Sequence, residues 1–422
     1  MFFIITTICI NSYAKYVFER SLMVSDIKID ETKPKIEFIS ATSDNEGYNN
    51  YVNQTHTVTV KLVATEKNLE ENNFTKKSIW MVGDKEISNI KKVHSSHYRN
   101  TLSIEATLSG IKGDGKLILK IPEGTIVDKY GKTNDEMVID TGIIIDNTAP
   151  VISFTQEEIE AGKINAILES NEKIRPINAW NISEENTKLN KEFSCNVLYP
   201  LPITDYAENT SNVDVRIDKA TNMKMKFSVI SGRNIWDIAT EPNQILGKDF
   251  IEESTKYRIE GMAICCNDIL KDKLEYKCYM NTNLKTDFGI WYDYETRYYQ
   301  GYNPPGGEFK LYKDTYGLNF FGEQGIVFGA SLINKKDELG KTKAPYGITA
   351  LAFRLKELPE YSIVYQVWVE GNGWVEPALD GEETKLAYDK PIGLFRIALI
   401  PKTERQYLID DWKKDVGTNN MK

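Results

Sequence analysis

The segment Trp291-Tyr-Asp293-Tyr294-Glu295 is followed by Tyr298, Tyr299 and Tyr302, and then by Pro304-Pro-Gly-Gly307. Aromatic rings beside carboxylates on a Pro/Gly-rich loop suit the recognition of sugars. A flat ring supplies large contact area with few rotatable bonds, and binding groups concentrate on loops held by a rigid scaffold. Trp368 and Trp374 lie farther on. Together Trp291, Tyr298, Tyr299, Tyr302, Trp368 and Trp374 are the candidate ligand-binding residues.

The same segment raises the question of hydrolysis. Asp293 and Glu295 stand two apart, so on a strand they point the same way. A glycosidase needs its two carboxyl groups about 5–9 Å apart across the scissile bond, which this spacing does not dictate; Glu308 or Asp314 could supply a partner instead. No Gly-x-Ser-x-Gly, Walker loop, His-Glu-x-x-His or Rossmann fingerprint occurs. Three histidines leave few acid–base sites, and His94-Ser-Ser-His97 sits in a polar stretch read as a solvated loop. The five cysteines contain no C-x-x-C pair and make no disulfide framework, so they read as small buried residues. The expectation is a non-enzyme with no catalytic residues, no metal and no cofactor. A glycoside hydrolase stands as the last alternative, and calcium at module junctions, through Asp128, Asp146 or Asp218, as a minor one.

A net charge of −9 and a pI near 5.2 argue against a nucleic-acid partner, which needs a basic face. No apolar run reaches membrane length, so no membrane insertion is expected. Met1–Ile10 is apolar, and Ser12-Tyr-Ala14 after it is weakly like a cleavage site, but no positive charge precedes it. Leu201-Pro-Ile-Thr-Asp205 is like a sorting signal but ends in Asp and has no hydrophobic tail behind it.

The elements that must carry these residues are set by repeats. Residues 27–38 and 143–154 share one phrase: Asp30, Thr32, Pro34, Ile36 and Phe38 match Asp146, Thr148, Pro150, Ile152 and Phe154 without a gap. A decayed third copy is Ile217-Asp218-Lys-Ala-Thr221. An alternating strand ends at Asp, and a proline then stiffens the join before a new strand. Upstream of each Asp lies a turn of small and polar residues: Ser12–Lys15, Asp128–Lys132 and Asp205–Asn209. Between them, runs such as Val58-Thr-Val60-Lys-Leu62 and Leu117-Ile-Leu119-Lys-Ile121 alternate as half-buried strands do.

The turn Asp205-Tyr-Ala207-Glu208-Asn209, with Trp180 and Leu189 before it, resembles the closing pattern of bacterial immunoglobulin-like surface repeats. Glu208 replaces the glycine of that pattern, which puts any ion site at the turn in doubt. The resemblance implies β-sandwich modules at 31–147 and 148–219. It also reads residues 1–30 as the tail of a truncated preceding module, with a poor signal peptide as the alternative.

From about residue 220 a threefold repeat appears, each copy opening and closing with a strand. The copies open at Met225–Val229, Leu274–Cys278 and Ile363–Val367; they close at Arg258–Ile264, Gly347–Leu355 and Gly393–Leu399. Copy two carries an insertion, roughly 295–345. Copy three, with Tyr365, Trp368-Val369, Gly373-Trp374 and Asp380-Gly381, is similar to the clostridial hydrophobic repeat with a conserved tryptophan. That resemblance implies an extracellular domain that binds other macromolecules. One tryptophan per repeat can equally be shared core.

The expected fold is therefore all-β: tandem immunoglobulin-like sandwiches followed by a three-repeat β domain at 220–422, prism- or trefoil-like. The expected role is non-catalytic and adhesion-type, extracellular or at the cell surface, as a monomer whose partner is a polysaccharide or a cell-surface protein. A purely structural fibre segment is the alternative.

Overall fold

The computed structural model describes residues 31–69, 80–81, 87–98, 100–230, 236–239, 242–248, 259, 261–266, 268–271, 273–280, 319–320, 323–329, 348–384, 390 and 392–420. Within them the chain is mostly β-strand, with one sustained helix near residue 410. By its contacts it falls into two units. One runs to Thr148 and includes Tyr206–Asn209; the other comprises Ala149–Asp205 and Thr210–Lys422.

The first unit contains β1 (Lys35–Ser43), β2 (Tyr51–Val52), β3 (Thr57–Thr65), β4 (Trp80–Met81), β5 (Ile87–Tyr98), β6 (Thr101–Ile111), β7 (Gly115–Ile121) and β8 (Met137–Ile145). They form two four-stranded sheets, ordered β1-β3-β6-β5 and β2-β8-β7-β4. Period-2 patterning does the work: Val58, Val60, Leu62 and Ala64 of β3 turn inward, as do Leu117, Leu119 and Ile121 of β7. Each large aliphatic chain so buried contributes about 1.5–3 kcal/mol. Thr141 breaks the apolar pattern on β8, but its hydroxyl donates to the Leu117 carbonyl at 2.7 Å, so no polar group is stranded. His94 and His97, expected in a loop, belong to β5 and sit in its ladder with β6 opposite Glu105 and Leu102.

The second unit begins with β9 (Ile152–Glu160), β10 (Lys163–Ser170), β11 (Asn181–Ile182) and β12 (Lys188–Phe193), in the order β11-β12-β10-β9, and with the hairpin β13 (Val197–Thr204) and β14 (Thr210–Ile217). Pro34 and Pro150 are both buried, and each is followed within two residues by a strand, β1 or β9, so the repeated phrase does the same structural job twice. Pro200 and Pro202 are tolerated in β13 because its one paired neighbour among the described strands is β14.

Beyond residue 220 follow β15 (Met225–Ile230), β16 (Trp236–Ile238), β17 (Gly261–Cys266), the short helix α1 (Asp268–Lys271), β18 (Leu274–Met280), β19 (Asn319–Phe320), β20 (Glu323–Gly329), β21 (Ile348–Leu355), β22 (Tyr361–Val369), β23 (Gly373–Trp374), β24 (Ala378–Leu379), β25 (Ile392–Pro401) and the helix α2 (Arg405–Lys413). In each sequence repeat the opening strand pairs antiparallel with its own closing strand: β15 with β17, β18 with β21, and β22 with β25. The equivalent aromatics Phe227, Tyr276 and Tyr365 lie opposite Ile264, Phe353 and Ile397. Phe353 packs against Phe227, Tyr365 and Phe395, which draws all three repeats into one core.

That core does not stop at residue 219. One apolar cluster runs from Ile164 to Trp412, so most of the stretch 148–219, expected as a domain separate from 220–422, lies in one unit with it, the exceptions being Thr148 and Tyr206–Asn209. β13 packs against β25 and α2, and the two segments complete each other's interior. Among the described residues no helix is long and apolar enough to cross a membrane.

Candidate binding site

Four of the expected ligand residues, Trp291, Tyr298, Tyr299 and Tyr302, lie outside the described residues, as do Asp293 and Glu295. Trp368 and Trp374 are described, and both are interior, at 3% and 1% exposure. The alternative of shared core is the one realised for these two rings. Neither presents a face on which a sugar could stack.

Their setting is built by a tight hairpin. Gly371 and Gly373 take φ of +79° and +75°, a conformation that costs a side-chain-bearing residue about 1–2 kcal/mol, and β23 turns back so that Trp374 lies opposite Trp368. Ile245 and Leu394 pack with the two rings. On β25, Arg396 stands opposite Gln366 of β22. Its guanidinium carbon lies 4.6 Å from the ring centre of Trp374 and 4.5 Å from that of Trp412 on α2, a cation held between two indoles. Arg396 Nε donates to Gln366 Oε1 at 2.8 Å, and Nη2 donates to Asp415 Oδ2 at 2.9 Å. Gln366 Nε2 in turn donates to the Val375 carbonyl at 2.7 Å. Burial pulls the Arg396 pKa below its ordinary value, and Asp415 opposes that pull. The guanidinium remains charged, as arginine does in proteins. Sequence reasoning passed over Arg396 and Trp412. The signal was present: a charged residue inside the apolar run Ile392–Ile400 must be buried with partners.

A second polar centre lies where α2 begins. Glu404 is fully buried, and its carboxylate accepts from Thr403 Oγ1 at 2.7 Å, from Trp180 Nε1 at 3.4 Å and from the Lys191 ammonium. Lys191 also lies over the ring of Phe193, 5.6 Å from its centre. Trp180, expected as core, is 6% exposed and meets Phe193 edge-on. Burial, with the Glu404 carboxylate adding to it, holds the Tyr199 hydroxyl well above its ordinary pKa. Burial likewise pushes the Cys195 thiol up to about 12, which leaves it protonated and unreactive at neutral pH.

The third centre is a cross-strand ion pair. Glu275 on β18 lies opposite Arg354 of β21 and bonds its Nε, while Lys356 Nζ is 2.5 Å from Glu275 Oε1. Burial raises the Glu275 pKa, but the two cations outweigh it and the net shift is downward from 4.5. A carboxyl whose folded pKa is depressed contributes stability above its unfolded pKa and loses it as pH falls through the folded value. Wild type should therefore melt above Glu275→Gln at neutral pH, and the gap should close as pH falls below the ordinary glutamate range and through the depressed folded value. Thermal melts at several pH values check this; a gap that is unchanged in acid would remove the ion pair as its source.

The two module-end turns share a local design. Asp128 Oδ1 accepts from the backbone N–H groups of Tyr130 and Lys132, both at 2.8 Å, and the fourth residue, Gly131, takes φ of +80°. In the second turn the fourth residue is Glu208, at φ of +73°. A position that favours glycine is held by glutamate, whose Oε2 lies 3.2 Å from His56 Nε2. Thr57, through its N–H and hydroxyl, and His56 hold the Asp44 carboxyl below its usual range against the opposing effect of burial. Of the other acids weighed for calcium, Asp146 Oδ1 accepts from the Thr148 N–H at 3.0 Å, a local turn bond, and Asp218 Oδ1 accepts from Gln156 Nε2 at 3.1 Å, 62 residues away in the chain.

No family model matches the chain. An uncharacterised protein of Corynebacterium glutamicum is 29% identical over 109 residues, which are 25% of this chain and 38% of that protein. The chain thus spans less than half the length of the curated relative it matches.

Proposed function

We propose that the chain is a non-catalytic binding protein of the cell surface or extracellular space. In this reading immunoglobulin-like modules carry a three-repeat β domain that recognises a polysaccharide or a cell-surface protein. The observation that supports it is the seat of the aromatic segment. The β18–β21 ribbon buries Leu274, Tyr276, Leu351 and Phe353, and its register sets Met280 opposite Ile348. The chain between these two residues carries Trp291, Tyr298, Tyr299 and Tyr302, and returns to the β15–β17 sheet at β20 before it reaches β21. Loops held by a rigid scaffold are the usual place for a recognition surface. The buried Arg396, Glu404 and Glu275 are each held in an ion pair, with Asp415, Lys191 and Lys356.

The full chain, applied to cell walls and a panel of polysaccharides, should bind saturably. Tyr299→Ala and Trp291→Ala should abolish that binding with unchanged melting temperature. Binding retained in both variants would remove the aromatic segment as the recognition surface; released reducing sugar that disappears in Asp293→Ala would replace binding with hydrolysis.

A further inference from the structure

Lys191 on β12 and Glu404 at the start of α2 are 213 residues apart in the chain and meet inside the second unit. Their side chains are 11% and 0% exposed. The Lys191 ammonium donates to Glu404 Oε1, and also to Thr403 Oγ1 at 3.0 Å. The Thr403 hydroxyl in turn donates to Glu404 Oε1 at 2.7 Å. Two paths therefore lead from the nitrogen to one carboxylate oxygen, one direct and one through a hydroxyl. The other oxygen, Oε2, accepts from Trp180 Nε1 at 3.4 Å. The ring of Phe193 lies 5.6 Å from the ammonium, and the buried Tyr199 hydroxyl stands beside the carboxylate.

An amine and a carboxylate so held have a chemistry open to them besides ion pairing. Keeping both charges out of water penalises the ion pair against any neutral arrangement of the same atoms. Condensation to an amide is one such arrangement. It removes both charges and leaves an N–H and a carbonyl, which are far less costly to bury. In free solution, dilution and bulk water oppose the reaction. Here folding holds the nitrogen against the carboxylate, the condition under which effective molarities of about 10⁵–10⁸ M are reached.

We propose that Lys191 and Glu404 are the two halves of an intramolecular amide crosslink, formed after folding between Lys191 Nζ and Glu404 Cδ. The reaction balances within the pair. One proton passes from the ammonium to Oε1, and the freed amine attacks Cδ. As the N–Cδ bond forms, Trp180 Nε1 stabilises the negative charge that gathers on Oε2. A second proton leaves the nitrogen through the Thr403 hydroxyl and reaches Oε1. The Cδ–Oε1 bond then breaks, one water departs, and Oε2 remains as the amide carbonyl. No oxidant or co-reactant is consumed, and chain that has not reacted holds the ion pair. The inference is independent of what the protein binds.

Intact mass measured on the full chain, held folded at neutral pH until the mass is constant, tests it directly. The protein should come to the mass of its sequence less one water. Trypsin should then release a branched peptide joining residues 189–216 to residues 403–405, because the amide blocks cleavage after Lys191. A chain that keeps its full mass overturns the proposal, and so does a lost water without that branched peptide. Lys191→Arg keeps the charge but not the amine, and should keep its full mass. Thr403 is exposed, so Thr403→Val should fold as wild type does, yet form the crosslink at least about tenfold more slowly. Thr403→Ser, which keeps the hydroxyl, should form it at the wild-type rate. Equal rates in Thr403→Val and wild type would overturn the hydroxyl relay.

Discussion

Trp374→Ala should cost about 3–5 kcal/mol of stability, the range for deleting a large buried aromatic side chain. The ring is 1% exposed, packs with Trp368, Ile245 and Leu394, and forms one side of the Arg396 sandwich. Its removal opens a cavity and takes one of two indoles from a buried cation. Urea unfolding checks the magnitude, and a loss under about 1 kcal/mol would contradict the burial. Trp374→Phe should be milder, because it keeps most of the volume and gives up the N–H bond to Asn420. Loss of binding in Trp374→Ala would report unfolding of the repeat, so the proposed recognition surface is to be tested at Tyr299 or Trp291 instead.

Removing the carboxylate of Glu404 should have an effect of similar size. In Glu404→Ala the Lys191 ammonium, whose side chain is 11% exposed, loses its counter-charge, and Trp180 Nε1 and Thr403 Oγ1 lose an acceptor. Breaking a buried pair from one side typically costs about 3–5 kcal/mol. Replacing both partners with apolar groups is often neutral or stabilising, so Lys191→Met with Glu404→Leu should recover most of the loss. A double variant as unstable as Glu404→Ala would show that the damage lies in packing rather than in an orphaned charge. Because Lys191 and Glu404 are 213 residues apart in the chain, the same experiment probes cooperativity. The shared core predicts one unfolding transition for residues 149–420, in wild type and variants alike.

Both expectations concern residues whose importance is tertiary. The strands of the first unit were legible because alternation is a local property. Val58, Val60 and Leu62 face inward, since a strand with one wet face can be arranged in no other register. The repeated phrase was legible for the same reason: proline at 34 and 150 stiffens the entry to β1 and β9 by its own chemistry. In the three repeats, the opening and closing strands read from the sequence are the strands that pair. Their registers had to come from the fold. The partner of the equivalent aromatic falls at a different distance beyond Gly261, Gly347 and Gly393 in each copy.

Helix α2 escaped a local reading because its first turn carries the wrong signal. Glu404 occupies the N-cap with no side-chain cap bond, its carboxylate having turned into the core toward Lys191. Leu408, Ile409 and Trp412 do mark one buried face, but nine residues of pattern are a weak statement against a chain of strands.

Composition, period-2 alternation, proline punctuation and the threefold strand plan were thus determined by the sequence itself, since each follows from neighbours along the chain. Three matters were decided by tertiary structure: whether Trp368 and Trp374 are core or platform, where the core ends, and what neutralises Arg396 and Glu404. Burial is a property of what packs on top. Here the covering groups, Asp415–Asn420, Trp412 and Lys191, come from positions that no local pattern connects to the residues they cover.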